Sequence, residues 1–225
     1  MSNIYFKSNG LQVSNGNRKL GNDTLILNMG TATNCPSAKL GLCKLGKKCY
    51  ALKAERLYPE VLPCRTKQEN YWLTSDADTI AFDLLSLLLG KRRRKAGKLQ
   101  ALGFSIKFIR FNESGDFHSQ ACVEKLESIT KAIKKVFKHI EVYGYSARSD
   151  LDFTKVSFFC KGSGHDAGNH GRTIARHKKE LMLPDGSLAA AVQLDGQAYK
   201  VCPGSCKSCK ICKVTSRHNV VFPLH

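Results

Sequence analysis

Apolar and polar positions along the chain predict four β-strands. The segments are short and either apolar throughout or alternating: residues 24–31 (TLILNMGT), 105–111 (SIKFIRF), 140–147 (IEVYGYSA) and 156–164 (VSFFCKGSG). Side chains of a strand point alternately to two faces, so Arg110 should lie on the opposite face from Ile109 and Phe111. The second strand is therefore expected to bury one face and to carry a charge on the other.

Three segments between these strands have the periodicity of amphipathic helices: residues 50–58 (YALKAERLY), 75–90 (SDADTIAFDLLSLLLG) and 119–139 (SQACVEKLESITKAIKKVFKH). Pro59 should end the first helix. Ser75 with Asp78 has the pattern of a capping box at the start of the second, and Gly90 is a typical end.

Strands and helices in turn predict an α/β fold, either a partial (β/α) barrel or an open parallel sheet. We expect a single domain over residues 1–225, with an α/β core over 24–200 and a cysteine-rich loop over 201–213. In such folds functional residues follow the carboxyl ends of strands. Cys35, the turn NESGDF, the end of VYGYSARSD and the glycines at 162–164 all fall at such places.

The chain is strongly basic, which favours a polyanionic partner. It has 36 basic and 18 acidic residues and a formal charge of +18, and nucleic acid is the commonest cytoplasmic polyanion. The densest basic stretch is Lys91, Arg92, Arg93, Arg94 and Lys95. It is a candidate for phosphate contacts, although lysines and arginines after a helix also suit the helix dipole and can simply be solvated.

The expected cellular compartment and the number of cysteines together indicate that the protein binds a metal. The first residues are polar and do not resemble a signal peptide, and the longest apolar run, residues 84–90, is too short to span a bilayer. We therefore expect a cytoplasmic protein without a membrane partner. Ten cysteines in a reducing compartment favour metal ligation over disulfides.

Seven of the cysteines form two clusters. The first has the spacing C-x7-C-x5-C and comprises Cys35, Cys43 and Cys49; the second has the spacing C-x3-C-x2-C-x2-C and comprises Cys202, Cys206, Cys209 and Cys212. The tight second run resembles loops that wrap a [4Fe–4S] cluster more than the paired knuckles of structural zinc, which is the alternative metal. Three thiolates in the first run would leave one iron open, or a cysteine of the second run could complete a shared cluster, or the seven could divide into two clusters.

Other residues give weaker signals. Cys64, Cys122 and Cys160 are interpreted as structural, the last two on apolar faces. Glu113, Asp116 and His118 stand close together after a strand, where they could act as acid, base or metal ligands of a nuclease, or form only a tight polar turn. A glycine-rich segment with His165, His170 and His177 suits either phosphate binding or a mobile loop.

Several of these motifs together resemble a known family. The run NMGTATNCPSAKLGLCKLGKKCYALKAE, with RFNESGDFHS, VYGYSARSDLDF and CPGSCKSCKIC, is similar to the phage gene-product-eighty-eight family of cysteine-rich proteins, over about residues 24–212. This resemblance implies a bacteriophage or prophage source and brings no activity with it.

A second resemblance, to radical S-adenosylmethionine (SAM) enzymes, concerns the order of elements. It implies a [4Fe–4S] cluster on Cys35, Cys43 and Cys49 after the first strand, although the gaps of seven and five residues differ from that family's three and two. Tyr50 follows the last cysteine, where that family has an aromatic residue before it. Gly115 and Asp116 would meet SAM at the second-strand turn, and the second cluster would be auxiliary.

The leading hypothesis is therefore a phage-encoded, radical-SAM-like iron–sulfur enzyme acting on or near nucleic acid. The alternative is a non-enzymatic iron–sulfur or zinc protein that binds nucleic acid or a host or phage protein and uses the metal structurally. An iron–sulfur nuclease is a minor alternative.

Overall fold

The computed structural model describes residues 4–8, 10–17, 19–93, 99–166, 170–213 and 218–224. The strands in these ranges are β1 (Ile4–Ser8), β2 (Leu11–Asn15), β3 (Thr24–Leu27), β4 (Lys91–Arg93), β5 (Leu99–Ala101), β6 (Phe108–Phe111), β7 (Glu141–Ser146), β8 (Phe159–Ser163), β9 (Arg172–His177), β10 (Ala191–Leu194), β11 (Gln197–Val201) and β12 (Asn219–Leu224). The α-helices are α1 (Pro36–Lys39), α2 (Tyr50–Leu57), α3 (Val61–Thr74), α4 (Ala77–Leu89) and α5 (Gln120–Val136).

Ten of the strands form one mostly parallel sheet, in the order β1-β2-β3-β6-β7-β8-β9-β12-β11-β10, while β4 and β5 form a separate hairpin. The neighbours from β3 to β11 are parallel, and antiparallel pairs add β2 and β1 at one edge and β10 at the other. A barrel needs its first and last strands to pair. Within the described residues β1 and β10 lie at opposite edges, so the α/β fold is confirmed with a mostly parallel sheet that does not close into a barrel.

Helices cover one face of the central strands. The main core joins alternate residues of β3, β6 and β7 to the apolar sides of α4 and α5: Leu25, Leu27, Ile109, Phe111, Val142, Ile80, Leu84, Leu88, Leu126 and Ile129. Each fully buried aliphatic or aromatic side chain of this kind stabilises the fold by about 1.5–3 kcal/mol. No helix in the described ranges is long and apolar enough to cross a membrane.

The opposite face of the same strands is polar and aromatic. The parallel register places Arg110 beside Tyr143, and Tyr145 beside Lys161. The predicted alternation in the second strand is therefore confirmed, with Arg110 on the face away from the helices. We call this surface, formed by Phe108, Arg110, Tyr143, Tyr145 and Lys161, the helix-free face.

The three predicted helices are present, with one different start. α2 ends at Leu57, two residues before Pro59. α4 begins after Asp76, whose carboxylate accepts a hydrogen bond of 2.7 Å from Thr79 N, so the predicted cap at Ser75 is wrong by one residue. An Asp at this position satisfies an N–H that the first helical turn leaves open.

Candidate metal-binding loops

The loops that follow β3, β6 and β7 meet at the carboxyl edge of the sheet. The first cysteine loop (residues 28–49) leaves β3 here and holds Cys35, Cys43 and Cys49. Ser114, in the turn after β6, donates its N–H to Asn28 Oδ1 at 3.0 Å. His165, beyond β8, contacts Ser146 O at 3.2 Å through Nε2. The expected meeting of strand-end loops at one edge is confirmed.

Asp116 joins three of these loops. Its carboxylate accepts hydrogen bonds from Ser37 Oγ in the first cysteine loop, from Ser146 Oγ at 2.7 Å, and from the N–H groups of Ala147 and Phe117, both at 2.8 Å. Burial raises the pKa of Asp116, although these hydrogen bonds oppose the shift. Both oxygens have partners within the protein, so Asp116 holds the loops together.

Glu55 on α2 binds the start of the first cysteine loop. Its side chain is 1% exposed and accepts from Ala32 N at 2.7 Å, from Thr33 N and Oγ1 at 2.9 and 2.8 Å, and from Ser114 Oγ at 3.2 Å. Arg65 on α3 forms an ion pair with it at 3.0 Å. Burial alone would raise the pKa of Glu55, but the hydrogen bonds outweigh it and lower the pKa below its ordinary value.

Glu69 on α3 holds the next residues of the loop. It accepts from Thr31 N and Oγ1 at 3.2 and 3.1 Å and from Asn34 Nδ2 at 2.6 Å. His118 Nε2 lies 3.6 Å from its Oε1, and burial lowers the pKa of His118. Glu55, Glu69 and Asp116, which we call the carboxylate framework, thus bind the backbone of residues 31–33 and the side chains of Asn34 and Ser37.

The thiols on this fixed loop are free and half-buried. Burial raises the pKa of Cys35 to about 11 and also raises the pKa of Cys43. The neighbouring thiol adds to each pKa shift, Cys43 to that of Cys35 and Cys49 to that of Cys43. Across the described ranges no three His, Cys, Asp or Glu are already grouped to hold a metal ion. The donor chemistry suits iron or zinc, and ligation requires the thiols to turn toward one another.

The residues predicted to bind SAM have partners inside the protein. Tyr50 donates its hydroxyl to Glu113 O at 2.7 Å and accepts from Arg110 Nη2 at 3.1 Å. Gly115 has a φ of +75°, and a Cβ there would lie 2.8 Å from the backbone of Gly30. Gly115 therefore permits the close approach of two loops, and a role for these residues in cofactor binding stays a prediction.

The second cysteine loop (residues 202–213) follows β11 and lies against the helix-free face. Cys206 donates its N–H to Lys19 O at 3.0 Å, in the turn before β3. Lys213 Nζ lies 3.3 Å from Thr24 Oγ1 and 4.4 Å from the centre of the Phe108 ring. The loop thus extends from β11 to the first residues of β3 and β6.

Two tyrosines of β7 face this loop. The hydroxyl of Tyr145 lies near the Cys212 thiol. Burial raises the pKa of both Tyr143 and Tyr145, and the Cys212 thiol near both hydroxyls raises it further. Burial likewise raises the pKa of Cys212 to about 11. All four cysteines of the loop are free: Cys202 is buried, and Cys206, Cys209 and Cys212 are half-buried.

A chain of contacts joins the two cysteine loops. Arg110 donates a hydrogen bond to Tyr50, which directly follows the first loop. The backbone carbonyl of Glu113 accepts a hydrogen bond from Tyr50, and the Glu113 carboxylate accepts one of 2.9 Å from Asn17 Nδ2. Asn17 Oδ1 in turn accepts a hydrogen bond of 2.9 Å from Lys19 N. The carbonyl of the same Lys19 binds Cys206 N in the second loop. Nothing in the linear sequence connected these segments, since Asn17 and Lys19 belong to no recognisable motif.

The weaker candidates divide among separate surroundings. Cys122 and Cys160 are in the main core, and Cys64 contacts Gln12 Oε1 at 3.3 Å, which agrees with structural roles. The proposed nuclease residues have different partners: Glu113 binds Asn17, Asp116 binds the strand-end loops, and His118 lies at Glu69. In the basic stretch, residues 91–93 form β4, while Arg94 and Lys95 lie outside the described residues.

Comparison with known proteins identifies a family. A family model described as Gene product 88 matches residues 7–157, more than half of the chain. The chain therefore belongs to the Gene product 88 family, a family of phage gene products. The match includes the first cysteine loop and ends before the second, so it does not extend to residue 212 as expected, and it gives no support to the radical SAM resemblance. Searches of curated proteins and of solved structures gave no match.

Proposed function

We propose that this member of the Gene product 88 family is an iron–sulfur protein whose first cysteine loop carries a [4Fe–4S] cluster on Cys35, Cys43 and Cys49. One observation carries the proposal: three buried carboxylates hold residues on both sides of Cys35, while the three thiols of the loop remain free. The cluster would lie at the carboxyl edge of parallel strands, the usual functional edge of an open α/β sheet.

The carboxylate framework is more than a connection between β3 and α2 needs. Most loops satisfy their backbone with water, and burial of a carboxylate is unfavourable unless it is fully hydrogen-bonded. Here Glu55 alone accepts hydrogen bonds from Ala32, Thr33, Ser114 and Arg65. Hydrogen bonds to charged groups contribute about 1.5–3 kcal/mol each, so the framework holds the loop firmly in one conformation. Such pre-organisation is what a ligand-binding loop requires.

The donor set favours iron–sulfur over other metals. Soft thiolates select zinc, copper(I) and iron–sulfur clusters, and hard cations such as Mg²⁺ prefer oxygen ligands. Zinc in a structural site takes four ligands, and this loop supplies three thiols. Three thiols suit a cluster that keeps one iron open to an exogenous ligand.

One further observation favours an enzyme as the second candidate. An open pocket of about 270 Å³ lies beside Cys35, lined by Asn34, Pro36, Lys39, Leu40 and His118. A small molecule in this pocket would be close to a cluster on the first loop, with Lys39 and His118 as polar contacts. A cluster-based catalyst, with SAM as one candidate co-substrate, would use this place.

Metal analysis of anaerobically purified protein tests the proposal. We expect iron and sulfide in equal amounts, and loss of the first-loop cluster in the triple variant C35S/C43S/C49S. The matched control is Cys64→Ser, which removes a half-buried thiol on α3 and should leave the iron content unchanged. Zinc without sulfide, or iron that survives intact in the triple variant, would refute the proposal.

Electron paramagnetic resonance separates the two candidates. Spectra of the reduced protein are recorded with and without SAM. A spectrum altered by SAM supports an open iron and an enzyme, whereas iron and sulfide with an unaltered spectrum support a non-enzymatic iron–sulfur protein.

A further inference from the structure

We infer that the second cysteine loop binds an iron–sulfur cluster of its own, and that Tyr143, Tyr145 and Arg110 of the helix-free face donate hydrogen bonds to its sulfur ligands. The inference rests on the proposed function, since it assigns the second loop to the same metal chemistry as the first. It adds a second site, whose cysteines lie outside the residues that the family match covers, and names the side chains that surround it.

Two buried donors point to an occupant that accepts hydrogen bonds. The hydroxyl of Tyr143, a residue only 1% exposed, has no hydrogen-bond partner within the described part of the chain, and the same holds for Arg110 Nε. A buried polar group without a partner costs about 1–3 kcal/mol, and these two, unlike the unpartnered hydroxyl of Tyr199, lie near thiols of the second cysteine loop. Both groups lie on the helix-free face, on adjacent strands with Arg110 paired to Tyr143.

The neighbours of these two donors make the surroundings positive. The Tyr145 hydroxyl lies near the Cys212 thiol. Lys213, 2% exposed, lies over the Phe108 ring. Lys161, also 2% exposed, is the register partner of Tyr145 in β8. Thiolates that ligate iron carry negative charge, and hydrogen bonds to cluster sulfurs are a recurring feature of such sites. Donors and cations next to four cysteines match this requirement.

The positions of the two loops favour two clusters over one shared cluster. The first loop is held at the carboxyl edge by Glu55, Glu69 and Asp116. The second is held on the helix-free face through the contacts of Cys206 with Lys19 and of Lys213 with Thr24 and Phe108.

Iron content of loop variants tests the assignment. We expect the iron and sulfide content to fall by about half in the variant C206S/C212S, because each loop would hold one cluster. The variant C35S/C43S/C49S should lose the other half. Circular dichroism establishes that each variant is folded before its metal is measured. Unchanged iron in C206S/C212S refutes the inference and leaves the proposed function standing. Loss of all iron from either variant indicates one shared cluster and also refutes it, whereas a wild-type protein without iron refutes the proposed function itself.

Single-atom changes test the hydrogen-bond donors without removing a ligand. Tyr143→Phe and Tyr145→Phe each delete one hydroxyl, and we expect each to lower the reduction potential of the cluster that remains in C35S/C43S/C49S. Hydrogen bonds to cluster sulfurs stabilise the more negative, reduced state, so their loss disfavours reduction. Tyr199→Phe is the matched control: Tyr199 is equally buried, has a hydroxyl without a partner in the described residues, and belongs to a separate apolar cluster. Equal potentials in Tyr143→Phe, Tyr145→Phe and the control would overturn the role of the two tyrosines.

Discussion

The change Glu55→Gln tests whether the carboxylate framework fixes the first cysteine loop. The amide has nearly the shape of the carboxylate but offers one acceptor oxygen in place of two. Oε1 accepts from Ala32 N, Ser114 Oγ and Arg65, and Oε2 accepts from Thr33 N and Oγ1. Whichever position the NH₂ group takes, it faces a backbone N–H that loses its acceptor.

The expected loss of stability follows from these hydrogen bonds. One buried N–H without an acceptor costs about 1–3 kcal/mol. Arg65, whose side chain is 10% exposed, also loses its anionic partner, and breaking a buried ion pair costs about 3–5 kcal/mol when no relaxation occurs. Because the two effects share one side chain and the amide still accepts one set of hydrogen bonds, we expect a total of about 2–5 kcal/mol.

Reversible urea unfolding of the metal-free, reduced protein measures this loss. Because the pKa of Glu55 is lowered by folding, its contribution is complete above the ordinary value of 4.5 and is lost as the pH falls through the lowered pKa. The difference between wild type and Glu55→Gln should therefore be largest near neutral pH and shrink below pH 4.5. Glu124→Gln, at an exposed position of α5, is the control and should change stability by less than about 0.5 kcal/mol.

Two results would refute the reasoning. A loss under about 1 kcal/mol at neutral pH would mean that the loop does not depend on charge-assisted hydrogen bonds to Glu55. A loss of the expected size that does not change between neutral and acidic pH would mean that the carboxylate charge is not its cause.

Two further predictions concern the close approach of two loops and the basic stretch. Gly115→Ala should destabilise the protein by about 1–3 kcal/mol more than Gly186→Ala. Both glycines have φ near +75°, but only at Gly115 would a Cβ lie 2.8 Å from backbone, that of Gly30. Equal losses of stability in urea unfolding would contradict this. If residues 91–95 bind phosphates, the affinity for duplex DNA should fall as salt rises. Replacing these five residues with Gln should reduce the slope of log affinity against log salt concentration by about 0.9 for each phosphate no longer neutralised, while K178Q/K179Q should leave it unchanged. An unchanged slope in the five-residue variant would exclude this stretch as the phosphate-binding site.

Periodicity predicted the central elements because their environments are simple. α5 and α4 each bury one apolar side, and β6 alternates between an apolar and a polar face, so composition at regular spacing was sufficient. The meeting of strand-end loops also followed, since parallel strands end at one edge. The same reasoning could not choose between an open sheet and a barrel, because that depends on β1 and β10, which bound the sheet and resemble any short edge strand.

The carboxylate framework could not be predicted for a physical reason. α3 contains Pro63 in its first turn and buries polar side chains, namely Arg65, Gln68 and Glu69, so it lacks the apolar periodicity by which helices are recognised. A buried carboxylate is recognised by its donors, and most of those of Glu55 and Glu69 lie 22 to 59 residues away in the sequence. Only the folded chain brings donor and acceptor together.

The relation between the two cysteine loops depends on the direction of β11. Because β11 is parallel to β12 and β12 to β9, the chain leaves β11 at the same edge as it leaves β3, and must return before β12 begins. The returning segment, residues 202–213, reaches Thr24 and Phe108, the first residues of β3 and β6, at the amino-terminal ends of these strands. It therefore lies along the helix-free face. This loop covers Arg110 and Tyr143. Within the described residues, neither Arg110 Nε nor the Tyr143 hydroxyl has a hydrogen-bond acceptor. The sulfur-ligated cluster that we infer for that loop would supply the acceptors, and it would account for polar donors, and not apolar side chains, at these positions of β6 and β7.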